Sequence, residues 1–233
     1  MTEALQVADW GRLAYEEAWE RQKALVKAVD RGEASEQFVY VEHPHVYTTG
    51  RHVDQSHFLR DRSALQKREV PVVTTDRGGQ VTYHGPGQLV GYVFVTSARF
   101  SHDTHRFLRL LESALIGGLA AVGIQGEMDS EHPGVWVQGA KLASIGIKFN
   151  KRRMAPGYIT SHGFALNVTT DLAYFEAILP CGTDRPTTSV QRLQPQLVDC
   201  HQVAATLRAA IAREIAAGLG FSYTQWTNDS SPK

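Results

Sequence analysis

A glycine-rich segment between two apolar runs is the feature that most constrains the fold of this chain. It extends from Arg77 to Tyr92 and reads RGGQVTYHGPGQLVGY. Residues 70–75 and 88–95 are rich in β-branched and aromatic residues, which indicates a strand on either side. Because glycine lets backbone N–H groups approach a ligand closely, the segment predicts a backbone-lined slot with Arg77 and His84 at its mouth. The alternative is a glycine-rich hairpin without a ligand. The immediate start of the second strand favours the slot.

The rest of the chain alternates irregularly between helical and strand patterns. This irregularity predicts a single α+β domain with a mixed main sheet over residues 1–226, followed by a polar, disordered tail at 227–233. Apolar residues at helical spacing predict helices, and β-branched runs predict strands. The predicted helices are 13–29, 57–68, 103–122, 171–178 and 201–219, and the predicted strands besides the two above are 37–42, 134–137, 140–149, 158–168 and 221–226.

Charge and cysteine content exclude several classes of protein. Lys plus Arg and Asp plus Glu both total 24, so the net charge is about zero and phosphate-driven nucleic-acid binding is disfavoured. The longest apolar run, 89–95, is too short to cross a membrane. Two cysteines are too few for a disulfide framework. We therefore expect a monomeric, cytoplasmic protein that binds neither nucleic acid nor membrane.

Two cofactor hypotheses can be weighed from spacing alone. Four histidines occur between residues 43 and 57, but no HExxH pattern is present, so we predict no metal site, and His43 is interpreted as shaping a pocket wall. Residues 134–142 resemble a phosphate-binding loop, but Ala140 separates the second glycine from the lysine and Leu142 replaces the required Ser or Thr. No nucleotide or other cofactor is expected.

Two reactive side chains stand out by their local context. Cys181 lies between Pro180 and Gly182, where neither a helix nor a regular strand can continue, whereas Cys200 begins a helix and is interpreted as packing. Lys141 comes near the start of a predicted strand. By itself such a lysine is interpreted as a solvated edge charge and not as a catalytic group.

Several blocks of the sequence resemble the octanoyltransferases that begin lipoate attachment (lipoyl(octanoyl) transferases, the lipoate-protein ligase B type). The block RGGxxTYHGPGQ is complete at 77–88, and EHPxVYTxGR corresponds to 42–51. The blocks GVW…KIAxIGI, HGxALN and PCG follow in order at 134–147, 162–167 and 180–182. Residues 183–189 depart from the short aliphatic turn usual in that family, which leaves the shape of this loop open.

The resemblance implies a fold, a reaction and a site. The fold is that of biotin and lipoate protein ligases, with a smaller second sheet. The reaction moves an octanoyl group from octanoyl-acyl carrier protein to lipoyl domains of 2-oxoacid dehydrogenase E2 subunits and to the glycine cleavage H protein. Cys181 is implied as nucleophile and Lys141 as its proton partner. The implied substrate-binding residues are Arg77, Gly78, Gly79, Gln80, Val81, Thr82, Tyr83, His84, Ser144, Ile145, Gly146, Gly163, Phe164 and Ala165.

Two other functions remain compatible with the same fold. An ATP-dependent lipoate or biotin ligase would need an adenylate site and no nucleophilic cysteine, and the TYHGPGQ and PCG blocks disfavour it. A non-catalytic lipoyl-domain-binding protein would not need Lys141 and Cys181, yet both residues are present.

Overall fold

Two β-sheets of unequal size form the framework of the protein. The computed structural model describes residues 3–52, 58, 70–179, 184–197 and 199–223. The larger sheet has eight strands, which lie in the order 222–223, 4–12, 37–42, 88–94, 158–167, 140–151, 134–137 and 127–128, with both parallel and antiparallel neighbours. The smaller sheet has three strands, in the order 72–74, 46–49 and 81–84. The predicted α+β class, with a mixed main sheet and a second small sheet, is confirmed.

The strands are short at the edges and long at the centre of the main sheet. Their bounds are β1 Ala4–Arg12, β2 Gln37–Glu42, β3 Val46–Thr49, β4 Val72–Thr74, β5 Val81–His84, β6 Gln88–Phe94, β7 Glu127–Met128, β8 Gly134–Val137, β9 Ala140–Lys151, β10 Tyr158–Asn167 and β11 Ser222–Tyr223. The helices are α1 Tyr15–Arg31, α2 Thr104–Ala120, α3 Val190–Leu193 and α4 Cys200–Gly218, with 3₁₀ turns at Ser97–Phe100 and Leu172–Ala177.

The helices cover the main sheet on both faces. Helices α2 and α4 pack on each other, and their apolar stripes join the core cluster that contains Phe38 and Tyr40 of β2. Helix α1 lies on the opposite face, where Ala18 packs with Val39 and Val41. The Asp103 carboxylate caps α2 by accepting from the N–H groups of His105 and Arg106, as the sequence predicts.

The hairpin of β8 and β9 positions the predicted catalytic lysine. Gln138 and Gly139 both have positive φ, as a tight hairpin turn requires. Trp136 pairs with Lys141 and Val135 with Ala143, so Leu142 is an extra residue in β9. Such a bulge rotates the strand locally and re-aims the side chains beside it. Lys141 is therefore directed by a bulge and not by a regular ladder.

The two ends of the described chain differ in part from the sequence-based predictions. No element was predicted for residues 4–12, which form β1, because the apolar pattern is weak in that stretch and its pairing with β2 and β11 is long-range. The predicted final strand is present at Ser222–Tyr223, and its remaining residues 224–226 lie outside the described residues. The predicted helix at 57–68, Cys181 and the tail lie outside the described residues, apart from Phe58. No helix in the described ranges has the length and apolar content needed to span a bilayer.

Candidate functional site

A cavity lies where the small sheet meets β6, β9 and β10. It is lined by Tyr15, Arg77, Gly79, Thr82, His84, Val90, Tyr92, Ser144, Ile145, Gly146, His162, Gly163, Phe164 and Ala165. Ten of these are residues that the sequence analysis assigned to substrate binding. The register explains the gathering, because Ser144, Ile145 and Gly146 pair with Ala165, Phe164 and Gly163 across β9 and β10.

The remaining four residues assigned to substrate binding lie elsewhere. Along β5 successive side chains point to opposite faces. Thr82 and His84 therefore face the cavity, whereas Val81 and Tyr83 lie in a second core with Tyr47 and Phe175. Gly78 and Gln80 line a neighbouring cavity with Ile147 and Phe149.

The two cavities differ in size and share a boundary. The first has a volume of about 40 Å³, close to the roughly 30 Å³ that one water molecule occupies in the liquid. The neighbouring cavity has about 410 Å³, and Gly79, Ile145 and Gly146 line both. An eight-carbon chain does not fit into the smaller volume, so it would have to extend into the larger one across these three residues.

Glycine is required where β6 and β10 approach each other. A Cβ atom on Gly163 would lie 1.9 Å from the carbonyl oxygen of Gly91, and one on Gly91 would lie 2.4 Å from the Phe164 ring. These distances are far below van der Waals contact. The pair of glycines therefore permits the close packing of β6 and β10 beside the cavity.

Arg77 and His84 lie deeper than the sequence analysis placed them. Their exposed fractions are 7% and 6%, so both are interior groups and do not stand at the mouth. The Arg77 guanidinium donates from Nη2 to the carbonyl oxygen of Thr48 at 2.7 Å and from Nη1 to that of Gly78 at 3.0 Å. Nε donates to the Thr48 hydroxyl at 3.2 Å. Arg77 thus fixes the backbone of the small sheet to the glycine-rich segment.

Three buried imidazoles lie at or beside this cavity, and both ring nitrogens of each have a hydrogen-bond partner. His43 Nδ1 donates to the Leu13 carbonyl at 2.7 Å, which leaves Nε2 to accept from the Tyr92 hydroxyl at 2.7 Å. His162 Nε2 lies 3.0 Å from an Asp76 carboxylate oxygen and Nδ1 lies 3.5 Å from the Tyr15 hydroxyl.

The third imidazole belongs to the glycine-rich segment. His84 Nδ1 donates to Gln88 Oε1 at 2.8 Å, and Nε2 lies 3.3 Å from the Thr48 hydroxyl. Since the Thr48 oxygen already accepts from Arg77, its own proton is available to His84. The hydrogen bonds therefore fix the neutral tautomer of this ring.

Burial lowers the pKa of all three imidazoles. Loss of hydration lowers the pKa of His43 to about 4. The pKa of His84 is lowered well below its ordinary value, chiefly by burial and then by the neighbouring His43 and Arg77. Burial also lowers the pKa of His162, although Asp76 opposes the effect. For Asp76 burial acts to raise the pKa, but hydrogen bonds from His162 and Lys148 outweigh it and hold the pKa below its usual range.

A hydrogen-bond chain connects the glycine-rich segment with Lys141. Gln88 Nε2 donates to Asn167 Oδ1 at 3.0 Å, and Asn167 Nδ2 donates to the Thr188 carbonyl at 3.0 Å. The Thr188 N–H in turn donates to the Lys141 carbonyl at 2.9 Å. Residues from three of the sequence blocks are therefore joined in one buried network.

Lys141 differs from the three imidazoles in its hydrogen bonding, although Gln80 Oε1 and Thr82 Oγ1 also lack a hydrogen-bond partner in the described chain. The exposed fraction of Lys141 is 3%, and Nζ has no hydrogen-bond partner among the described residues. It lies 5.0 Å from the centre of the Trp136 ring. Gly134 leaves room for it, since a Cβ atom there would lie 2.9 Å from Lys141 Cε. The alternative of a solvated edge charge is excluded by this burial.

The segment that follows residue 183 is attached to the same corner. The Lys141 N–H donates to the Pro186 carbonyl at 2.8 Å, so residues 186–188 run parallel to the start of β9. The Arg185 guanidinium lies 3.8 Å above the Trp136 ring and 2.6 Å from an Asp129 carboxylate oxygen. Cys181, at the other candidate position, lies outside the described residues.

Sequence reasoning missed Tyr15, Asp76, Tyr92 and His162 as parts of the site. A signal existed for both Asp76 and His162, since Asp76 directly precedes the block at 77–88 and His162 is the first residue of the block at 162–167. His162 has φ of +58° within a strand, a strained conformation for a residue with a Cβ atom, and no sequence pattern reveals it. Among the described residues no group of three or more His, Cys, Asp or Glu side chains could hold a metal ion.

Comparison with known proteins gives a consistent result. Residues 14–212 match the family model "Lipoyl protein ligase A/B catalytic domain". An octanoyltransferase of Rubrobacter xylanophilus is 44% identical over 184 residues, which cover 78% of this chain and 80% of the relative. One from Gloeobacter violaceus is 41% identical and covers 87% and 86%.

Solved structures agree at the level of the fold. A lipoate-protein ligase A bound with ATP superposes with a TM-score of 0.67 at 17% identity, covering 99% of this chain and 90% of the ligase. The likeness in fold extends to the ligases, whereas the sequence identity of about 40% over most of the chain is with octanoyltransferases. The chain belongs to the octanoyltransferase family of acyltransferases.

Proposed function

We propose that the protein transfers an octanoyl group from acyl carrier protein to the acceptor lysine of lipoyl domains, through a thioester on Cys181. The observation that carries this proposal is Lys141, a buried amine without a partner in the described chain. Burying an ammonium group without a counter-charge is unfavourable, so a thiolate beside it would be stabilised. The acceptors we infer are the E2 subunits of 2-oxoacid dehydrogenases and the glycine cleavage H protein.

Chain geometry supports the pairing of the two residues. Cys181 is five residues before Pro186, whose carbonyl accepts from the Lys141 N–H. Five residues span at most about 18 Å, so the cysteine is confined to the neighbourhood of Lys141. Arg185, held by Asp129 and Trp136, fixes the chain just beyond the loop.

The first step forms the acyl-enzyme. The Cys181 thiolate attacks the thioester carbonyl of the donor, and the bond between that carbon and the carrier's sulfur breaks. The departing thiolate takes a proton from the Lys141 ammonium. The products are octanoyl-Cys181, a free carrier thiol and a neutral Lys141 amine.

The second step releases the product and restores the enzyme. The acceptor amine attacks the carbonyl of octanoyl-Cys181, and Lys141 takes a proton from that nitrogen as the carbon–sulfur bond breaks. An amide forms and the thiolate–ammonium pair returns. Because a thioester already carries the needed free energy, neither ATP nor another cofactor enters the balance.

The oxyanion is expected at the edge of β9. The Ile147 carbonyl accepts from the Gly78 N–H and not from β10, so the backbone N–H and C=O groups of residue 147 point away from β10. Because the directions of these backbone groups alternate along an antiparallel strand, the N–H of Ile145 also points away from β10, whereas the N–H groups of Ser144 and Gly146 point towards it. Among the N–H groups of residues 144–146, that of Ile145 is therefore our choice for stabilising the oxyanion.

The acyl-enzyme can be tested by mass spectrometry. Incubation with octanoyl-carrier protein should add one octanoyl group, labile to hydroxylamine, on a peptide that contains Cys181. The Cys200→Ala variant should acquire the same mass, and Cys181→Ala should not. An adduct on Cys200, or none in wild type, would contradict the proposal.

The two adjoining cavities predict a preference for medium chains. Each buried methylene contributes about 0.8 kcal/mol, so eight carbons should exceed four by about 3 kcal/mol, roughly a hundredfold. Ala165→Leu should shift the optimum to shorter chains in a series from four to twelve carbons. The matching change at Gly79 is less clean, because φ there is +84° and leucine would add backbone strain. A flat response in wild type would show that these cavities do not hold the acyl chain.

A further inference from the structure

A second, strongly basic groove adjoins the cavity on the α1 side of the sheet. It has a volume of about 490 Å³ and lies between α1 and the hairpin of β9 and β10. Its only acidic lining residues in the described chain are Asp30 and Asp76. Six cationic side chains line it: Lys23, Lys27, Arg31, Lys148, Lys151 and Arg153.

The two acids pair with only one of these six cations, while Lys23 and Arg31 pair with Glu20 and Glu33 outside the groove. Asp76 is paired with Lys148 at 2.5 Å and hydrogen-bonded to His162, and Asp30 is paired with Arg152 at 3.2 Å. Lys27, Lys151 and Arg153 are exposed, and their side chains have no ionic partner in the part of the chain that the structure describes. A protein with no net charge thus concentrates unpaired positive charge in one groove.

An exposed apolar residue lies among these cations. Met154, at the tip of the hairpin, has an exposed fraction of 68%, and Tyr158 at the start of β10 has 42%. Few large apolar side chains of the described chain are this exposed. Unpaired cations around an adaptable methionine are typical of a surface that binds an acidic protein.

The groove adjoins the cavity but is distant from Lys141. Asp76 and Ser161 line the groove while their neighbours Arg77 and His162 line the cavity. Lys148 is seven residues along β9 from Lys141, a separation of roughly 20 Å at 3.3 Å per residue. The side chain of an acceptor lysine cannot bridge this distance. A thioester on a long flexible prosthetic arm can.

We propose that this groove docks the acidic face of the carrier protein that brings the acyl thioester. The inference rests on the proposed function, because it assumes a carrier-bound donor. Carboxylates of the carrier would pair with Lys27, Lys151 and Arg153, and an apolar side chain would pack on Met154. The flexible arm of the carrier would then span the roughly 20 Å between Lys148 and Lys141.

The test compares two donors and two charge-matched double variants. Lys27→Glu/Arg153→Glu reverses charge in the groove, and Arg106→Glu/Arg213→Glu makes the same change at exposed positions on α2 and α4. With octanoyl-carrier protein at low salt, kcat/KM for acylation should fall at least tenfold in the groove variant and stay near wild type in the control. The deficit should shrink as salt screens the charges. With a small thioester such as octanoyl-pantetheine, both variants should equal wild type.

The outcomes separate this inference from the proposed function. If the small thioester acylates Cys181 but the groove variant is as fast as wild type with the carrier donor, the docking proposal is wrong and the proposed function stands. If the groove variant is slowed only in transfer to the lipoyl domain, the groove serves the acceptor and our assignment is overturned. If the small thioester does not acylate Cys181 in wild type, the proposed function fails first.

Discussion

The imidazole cluster and the Lys141 corner are both buried and polar, yet they differ in how their polar atoms are used. His43, His84 and His162 each have partners on both ring nitrogens. Lys141 Nζ has none in the described chain. Buried polar groups with all hydrogen bonds formed rigidify a structure. A buried polar group without a partner lowers stability, and a catalytic role is one reason for keeping it. The difference supports our proposal that the cluster is structural and that Lys141 is the reactive group.

Among the changes considered, replacing Lys141 should have the largest effect on activity. Lys141→Met keeps an unbranched side chain but removes the amine, so transfer should fall on the order of a thousandfold, as expected for loss of a general acid–base. Stability should stay the same or rise, because an unpartnered buried polar group is removed. Activity on octanoyl-carrier protein and urea unfolding would measure the two effects. A stable variant with wild-type activity would contradict the catalytic role of Lys141. An inactive variant that is also unfolded would contradict the expectation that the amine does not stabilise the fold.

The cluster should reveal itself in the pH dependence of stability. In the unfolded chain a histidine has a pKa of about 6.5, whereas that of folded His43 is about 4. Between these values the unfolded state binds more protons, so the free energy of unfolding should decrease as the pH falls from about 6.5 to 4. His43 alone should account for about 3 kcal/mol, and His84 and His162 act in the same direction.

Urea unfolding at pH 7 and pH 4.5 measures this dependence, with His43→Gln as the comparison. In this variant the free energy of unfolding should depend less steeply on pH than in wild type. Asp76, whose pKa is lowered, makes the free energy of unfolding decrease with falling pH only below about pH 4, so it does not affect a comparison between pH 7 and pH 4.5. Equal stability at the two pH values would mean that the imidazoles are not held neutral by burial.

Breaking the link between the two regions should have a smaller effect. Gln88→Ala removes the acceptor of His84 and the donor to Asn167, and should lower the free energy of unfolding by about 2 kcal/mol. Activity per folded molecule should fall about tenfold or less, since Lys141 loses support and not its amine. If Gln88→Ala instead abolished transfer in folded protein, the cluster would have to take part in the chemistry.

Sequence reasoning reached the fold and most of the cavity because local signals carried them. The β8–β9 turn at Gln138–Gly139, the cap at Asp103 and the blocks around Gly79 and Ala165 are written in neighbouring residues. Burial of Lys141 was open from sequence, since it depends on a bulge at Leu142 and on residues 186–188. The positive φ of His162 and the depth of Arg77 likewise follow from packing between distant segments, which no local pattern encodes.

The reactivity of the Cys181 thiol as a function of pH tests the central claim, that Cys181 and Lys141 act as one pair, most directly. A free thiol titrates near pH 8.5. In wild type we expect alkylation of Cys181 by iodoacetamide to persist well below that pH, because the ammonium stabilises the thiolate. In Lys141→Met the profile should move to higher pH, while that of Cys200 in the same sample should not change. Superimposable Cys181 profiles in the two proteins would contradict the pairing.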